Sequence, residues 1–147
     1  MFQRLTILLL AVFFSTQSFA QTDAKIEVVK HNHVALQVKD ITASTKFYKE
    51  VLGLEPVPVP DSLKAIRSWF KLGTDQQIHL LAGRTVPVNN DRNGSHFALF
   101  VQSIKAAEVY LQQHQMSFHK QVRFDGAVQI YIADPDGYLI ELNEIKR

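Results

Sequence analysis

Cysteine is absent from the chain, which excludes a disulfide framework, a thiol nucleophile and thiolate metal ligands. Any metal must therefore be held by histidine and carboxylate. No charge of one sign dominates: 16 Lys and Arg stand against 14 Asp and Glu, with no run of like charge, so nucleic acid is not an expected partner. The longest apolar run, Leu5 to Phe14, has ten residues, too few for the roughly 20 needed to cross a bilayer. Arg4 before it and the small residues Ser18 and Ala20 after it make residues 1–20 a secretory signal, with cleavage expected before Gln21. No cysteine follows to take a lipid anchor. The expected product is exported, periplasmic or secreted, and free of the membrane once cleaved. Residues 21–147 then form one domain with 15 basic and 14 acidic side chains, long enough to bury about two-thirds of its unfolded surface.

What the chain does have is an internal repeat. His33 to Ala43 aligns with His96 to Ala106, 63 residues later, with six identities in eleven positions: His33/His96, Ala35/Ala98, Leu36/Leu99, Val38/Val101, Ile41/Ile104 and Ala43/Ala106. Repetition at this period indicates two copies of one supersecondary unit. In the first copy, alternation predicts a strand over His33 to Val38 and a helix over Ile41 to Leu52, capped by Asp40 and closed by Gly53. An extended piece, Leu54 to Val59, is confined to an edge by its prolines. Strands over Ile66 to Leu72 and Gln77 to Ala82 follow. Residues 83–94 lack apolar periodicity and read as a linker. The second copy repeats the order: strand Ser95 to Val101, Ser103 as cap, helix Ile104 to Gln113, and strands Ser117 to Phe124, Ala127 to Ala133 and Tyr138 to Glu144. The fold class is α+β, with two βαβββ modules at about 32–82 and 95–144.

Strand alternation separates two faces. Val34, Leu36, Val38, Phe70, Leu72, Ile78, Leu80, Phe97, Leu99, Val101, Val128, Ile130, Ile132, Tyr138, Ile140 and Leu142 share the register that faces the helices, and form the expected core. The opposite register carries His33, Gln37, Arg67, Trp69, Gln77, His79, His96, Phe100, Gln121, Arg123, Gln129, Tyr131, Glu141 and Asn143. A single histidine on a strand is ordinarily a solvated or locally satisfied side chain. Here the repeat pairs His33 with His96, and His79 with Glu141, so a pseudo-two-fold relation between the modules can bring all four together. Three imidazoles and a carboxylate suit a borderline divalent ion such as Zn, Ni, Co, Fe or Mn, leaving room for water or substrate. His31, His114 and His119 lack such symmetry and remain unassigned.

The motifs HVALQVKDITASTKFYKEVLGLE, SHFALFV and ADPDGYLIELNE resemble those of the vicinal oxygen chelate superfamily, which includes glyoxalase I, extradiol dioxygenases and bleomycin-resistance proteins. The resemblance covers residues 32–144. It implies paired modules whose mixed sheets curl into a glyoxalase-like, metal-holding cup, with His33, His79, His96 and Glu141 at the ligand positions. It further implies stabilisation of an oxyanion on a small substrate with adjacent oxygens, with Glu141 as the catalytic proton carrier. Gln37, Arg67, Trp69, Phe100, Arg123 and Tyr131 lie in the cup-facing register and are the expected substrate pocket.

Departures from particular members narrow the expected chemistry. The second glyoxalase I ligand is ordinarily Glu, and here it is His79. Gln37 and Gly83 stand where bacterial glyoxalases carry glutathione-contacting Arg and Asn. The reading is a lyase- or isomerase-like metal enzyme. An extradiol-type dioxygenase and a non-catalytic, resistance-type binding module are the alternatives. The cup forms either within one chain or across a homodimer.

Overall fold

Val34, Leu36 and Val38 point one way from the first strand and Ala35 and Gln37 the other, so β1 (His33–Val38) buries a single face. The computed structural model describes residues 25–146. Residues 1–24, with the expected signal segment, lie outside the described residues. Among the described residues, 25–30 and 31–146 belong to separate units. In the first, described residues 25–30 are exposed and without regular structure. Among the described residues, no helix is long and apolar enough to cross a membrane.

The second unit contains two four-stranded sheets. After β1 come α1 (Ile41–Lys46), β2 (Pro56–Val57), β3 (Arg67–Leu72) and β4 (Gln76–Ala82), in sheet order β1-β4-β3-β2. β5 (Phe97–Val101), α2 (Ile104–Gln113), β6 (His119–Val122), β7 (Val128–Ala133) and β8 (Leu139–Glu144) repeat this as β5-β8-β7-β6. In each module the first and last strands are parallel and the other pairs antiparallel. The α+β fold of two modules is therefore as the repeat predicts.

Both helices begin on the expected caps. Asp40 accepts from the backbone N–H of Thr42 and Ala43 at 2.9 and 3.1 Å, and Ser103 accepts from Ala106 at 3.2 Å, each satisfying donors at a helix start. The first helix departs from expectation beyond Lys46, where Phe47–Val51 is a π-helical turn. Such a turn holds one extra residue and shifts the helical phase, so Phe47 joins Tyr48 in the core. The extended reading of Leu54 to Val59 contracts to Pro56–Val57, an edge strand as its prolines require. The strand expected from Ser95 starts at Phe97, and that expected over Ser117 to Phe124 covers His119–Val122.

One core joins the modules, built from Leu36, Val38, Phe70, Ile78 and Leu80 of the first and Leu99, Ile130, Ile132, Ile140 and Leu142 of the second. A polar clasp reinforces it. Asp136, in the turn before β8, accepts from Lys39 N at 2.9 Å, Ser44 Oγ at 3.0 Å and Arg84 Nη2 at 2.5 Å. Beside it, Asp134 accepts from the Tyr48 hydroxyl at 3.0 Å, and Tyr138 donates to the Gln37 carbonyl at 3.0 Å. Arg84, within the stretch read as a linker, is thus a half-buried partner, its side chain 11% exposed against 3% for Asp136.

Candidate functional site

The second module supplies the better-defined half of the site. β7 and β8 place Tyr131 opposite Glu141, and Gln129 opposite Asn143. Cross-strand partners project from the same face, so these four side chains form a patch. Glu141 is 8% exposed, and its carboxylate is fully engaged. Oε1 accepts from Gln129 Nε2 and, at 2.6 Å, from Asn143 Nδ2. Oε2 accepts from the Tyr131 hydroxyl at 2.7 Å and meets His96 Nε2 at 3.0 Å. Burial alone would raise the carboxyl pKa, but the hydrogen bonds from Tyr131 and Asn143 and the charge of His96 outweigh it and hold Glu141 below its ordinary value. Tyr131 moves oppositely: burial, then its bond to Glu141, push the phenol up to about 12.

His96 stands just before β5, with Nδ1 3.1 Å from the Gly94 carbonyl. That oxygen only accepts, so Nδ1 carries the hydrogen and Nε2 is the atom turned on Glu141. Ligand atoms roughly 2.0–2.2 Å from a common ion stand about 3 Å apart. His96 Nε2 and Glu141 Oε2, 3.0 Å apart, are thus near enough that both could hold one divalent ion.

The first module supplies the other half. His33 and His79 stack at 4.3 Å, and Trp69 stacks on the far side of His79 at 4.8 Å. β3 pairs Trp69 with His79, and β1 pairs Ala35 with His79, which accounts for the column. The His33 Nδ1–H donates to Asn32 Oδ1 at 2.6 Å, leaving Nε2 as its free donor atom. His79 Nε2 lies 2.7 Å from Gln77 Oε1. Burial and the neighbouring His33 lower the His79 pKa, favouring the neutral imidazole a metal requires.

The two halves do not meet within one chain. Among the described residues, no group of three or more His, Cys, Asp or Glu is gathered closely enough to hold a metal ion. The four expected ligands are present as two pairs, one on each sheet.

The expected pocket residues divide similarly. Trp69 and Tyr131 touch the pairs directly. Phe100 lies opposite Asn143, 74% exposed, and borders an open groove of about 1560 Å³ at the end of the second sheet. Gln37 is exposed on β1. Arg67 donates to the neighbouring Ile66 carbonyl at 2.9 Å, and Arg123 lies past β6, paired with Asp125 at 3.3 Å, so neither meets a ligand residue. Sequence reasoning missed Gln129 and Asn143 as supports of Glu141, and also His119, which β6 sets opposite Tyr131. The turn at Asp125-Gly126 is the signal that fixes this register, because it sets which residues of β6 and β7 face each other.

Residues 30–142 match the family described as the glyoxalase/bleomycin resistance protein/dioxygenase superfamily. A virulence protein of Salmonella typhimurium is 33% identical over 124 residues, covering 77% of this chain and 82% of that protein. A lactoylglutathione lyase of Pseudomonas putida is 27% identical over 159 residues, covering 84% and 89%. Among solved structures, a glyoxalase family protein from Bacillus anthracis superposes with a TM-score of 0.68 at 27% identity, covering 84% of this chain and all of that one.

Proposed function

Because the chain belongs to the glyoxalase/bleomycin resistance protein/dioxygenase superfamily, we propose that it is a metal-dependent enzyme with lyase or isomerase chemistry on a small substrate carrying adjacent oxygens. The contact that carries this reading is His96 Nε2 against Glu141 Oε2 at 3.0 Å, on a carboxylate that three other side chains hydrogen-bond. His33, His79, His96 and Glu141 would hold the ion, one of Zn, Ni, Co, Fe or Mn. Bound there, a divalent ion supplies Lewis-acid stabilisation of a developing oxyanion. Glu141 accepts the proton released from substrate carbon and returns it. Tyr131, whose high pKa keeps it a phenol, holds Glu141 in place. Trp69 on one half and Tyr131 on the other exclude water.

Since each chain presents two half-sites, the site is completed by a second copy, the first module of one protomer facing the second module of its partner. A homodimer of this kind has two equivalent sites. The proposal includes export with loss of residues 1–20, supported by the sequence of that segment.

Stoichiometric metal on untagged protein, lost in His96→Ala, is the expected result. Protein that binds no divalent ion and whose melting temperature is indifferent to Zn, Ni, Co, Fe and Mn would sink the proposal. Turnover across a panel of α-hydroxy ketones and thiol adducts then identifies the lyase or isomerase. Oxygen uptake with a catechol assigns ring cleavage instead, and saturable stabilisation without product assigns a binding module.

A further inference from the structure

On the second sheet, the row that contains Glu141 and Tyr131 continues onto β6 with His119. Adjacent strands are about 4.8 Å apart, so His119 stands roughly 10 Å from Glu141 along that row. Above it lies Arg92, from the tight turn Asp91 to Gly94, which the Gly94 N–H closes onto the Asp91 carbonyl at 3.2 Å. Arg92 Nη1 donates to His119 Nε2 at 2.6 Å and to Gln121 Oε1 at 3.2 Å. Neither acceptor is a carboxylate, so they orient the guanidinium without cancelling its charge. Among the described residues Arg92 has no carboxylate partner, and its Nη2 and Nε make no hydrogen bond. Arg123, by contrast, is paired with Asp125 and lies over Phe124. The Arg92 charge also reaches Tyr131, where it opposes the rise in the phenol pKa.

A guanidinium fixed through one nitrogen, with its remaining edge free, is suited to bidentate recognition of an oxyanion. We propose that Arg92, oriented by His119 and Gln121, is an anion-recognition residue beside the Glu141 half-site, and that the substrate carries a carboxylate or phosphoryl group several bonds from its reacting centre. Its placement as a substrate contact rests on the function proposed above, whereas the anion site itself does not require the metal.

The experiment uses the full-length protein, stripped of metal and dialysed free of chelator, titrated calorimetrically with malonate and separately with inorganic phosphate. Wild-type binding in the millimolar range is expected. Arg92→Ala should weaken it at least tenfold, Arg92→Lys should weaken it less, and Arg123→Ala should leave it unchanged. Tighter malonate binding assigns a carboxylate substrate and tighter phosphate binding a phosphoryl one. Absence of wild-type binding, or equal losses in Arg92→Ala and Arg123→Ala, overturns the inference. Metal stoichiometry on untreated protein tests the metal site independently, so either idea can fail while the other stands.

Discussion

Tyr131 and Glu141 face each other across β7 and β8, and the phenol donates to the carboxylate at 2.7 Å. This pairing keeps one group neutral and the other charged. Tyr131→Phe preserves the ring and removes one donor, so the Glu141 pKa should rise toward that of a merely buried carboxyl. Activity that needs ionised Glu141 is present above its pKa and lost as pH falls through it. The acidic limb of the pH–rate profile should therefore move to higher pH, and an unmoved limb would count against Glu141 as the proton carrier. Because Glu141 is buried, the lost bond should also destabilise the fold by about 1–3 kcal/mol.

The clasp around Asp136 predicts acid sensitivity of the whole fold. Burial works against its ionisation, but Arg84, the Lys39 N–H and Ser44 together hold its pKa below the ordinary value. A depressed folded-state pKa contributes stability that is fully present above the unfolded value and is lost as pH falls through the folded one. Asp136→Asn should lower stability at neutral pH by roughly 3–5 kcal/mol, because Arg84 stays buried without its charge partner. The variant should also show a flatter stability curve below the unfolded carboxyl pKa, which denaturant melts at several pH values would record.

A site shared between copies predicts complementation. His33→Ala/His79→Ala protein and His96→Ala/Glu141→Ala protein should each bind no metal. Mixed, unfolded and refolded together, they should recover roughly a quarter of wild-type metal binding, since half the random dimers are mixed and each has one intact site. No recovery would place all four ligands within one chain.

Core substitutions separate folding from chemistry. Ile140, fully buried between the modules' hydrophobic faces, should cost about 2–5 kcal/mol as Ile140→Ala. Gln121→Ala, half-buried on β6 where its amide donates to Gln129 at 2.9 Å and to the Tyr131 hydroxyl at 3.3 Å, should cost only about 1 kcal/mol while loosening Arg92. Parallel thermal melts and malonate titrations of the two variants distinguish these effects.

Most of the fold was legible because period-two alternation is strong in the central strands. Leu36, Leu80, Leu99 and Leu142 occupy the core positions their alternation assigns. Phe47 was not legible as a core residue, because a π turn changes helical phase without changing composition. The ligand pairs were visible through the repeat, which reports equivalence between modules. It does not report which surfaces meet, so it was silent on the separation of His33 and His79 from His96 and Glu141. Gln129 and Asn143 were recognisable as polar-face residues, yet their role depends on lateral register across β7 and β8. Arg84 and Arg92 look alike in sequence, and only the fold shows one buried on Asp136 and the other extended over His119.

The Asp136 clasp also answers a problem that repeated modules create. Two similar halves with similar apolar faces could pair like with like, during folding or between neighbouring chains. Asp136 works against that degeneracy, because the first module has Thr74 at the corresponding place, 62 residues earlier, and the second module has Ala107 where the first has Ser44, so the same set of bonds does not recur between like modules. The joint is therefore directional: a duplicated architecture is given a head and a tail by one acidic residue.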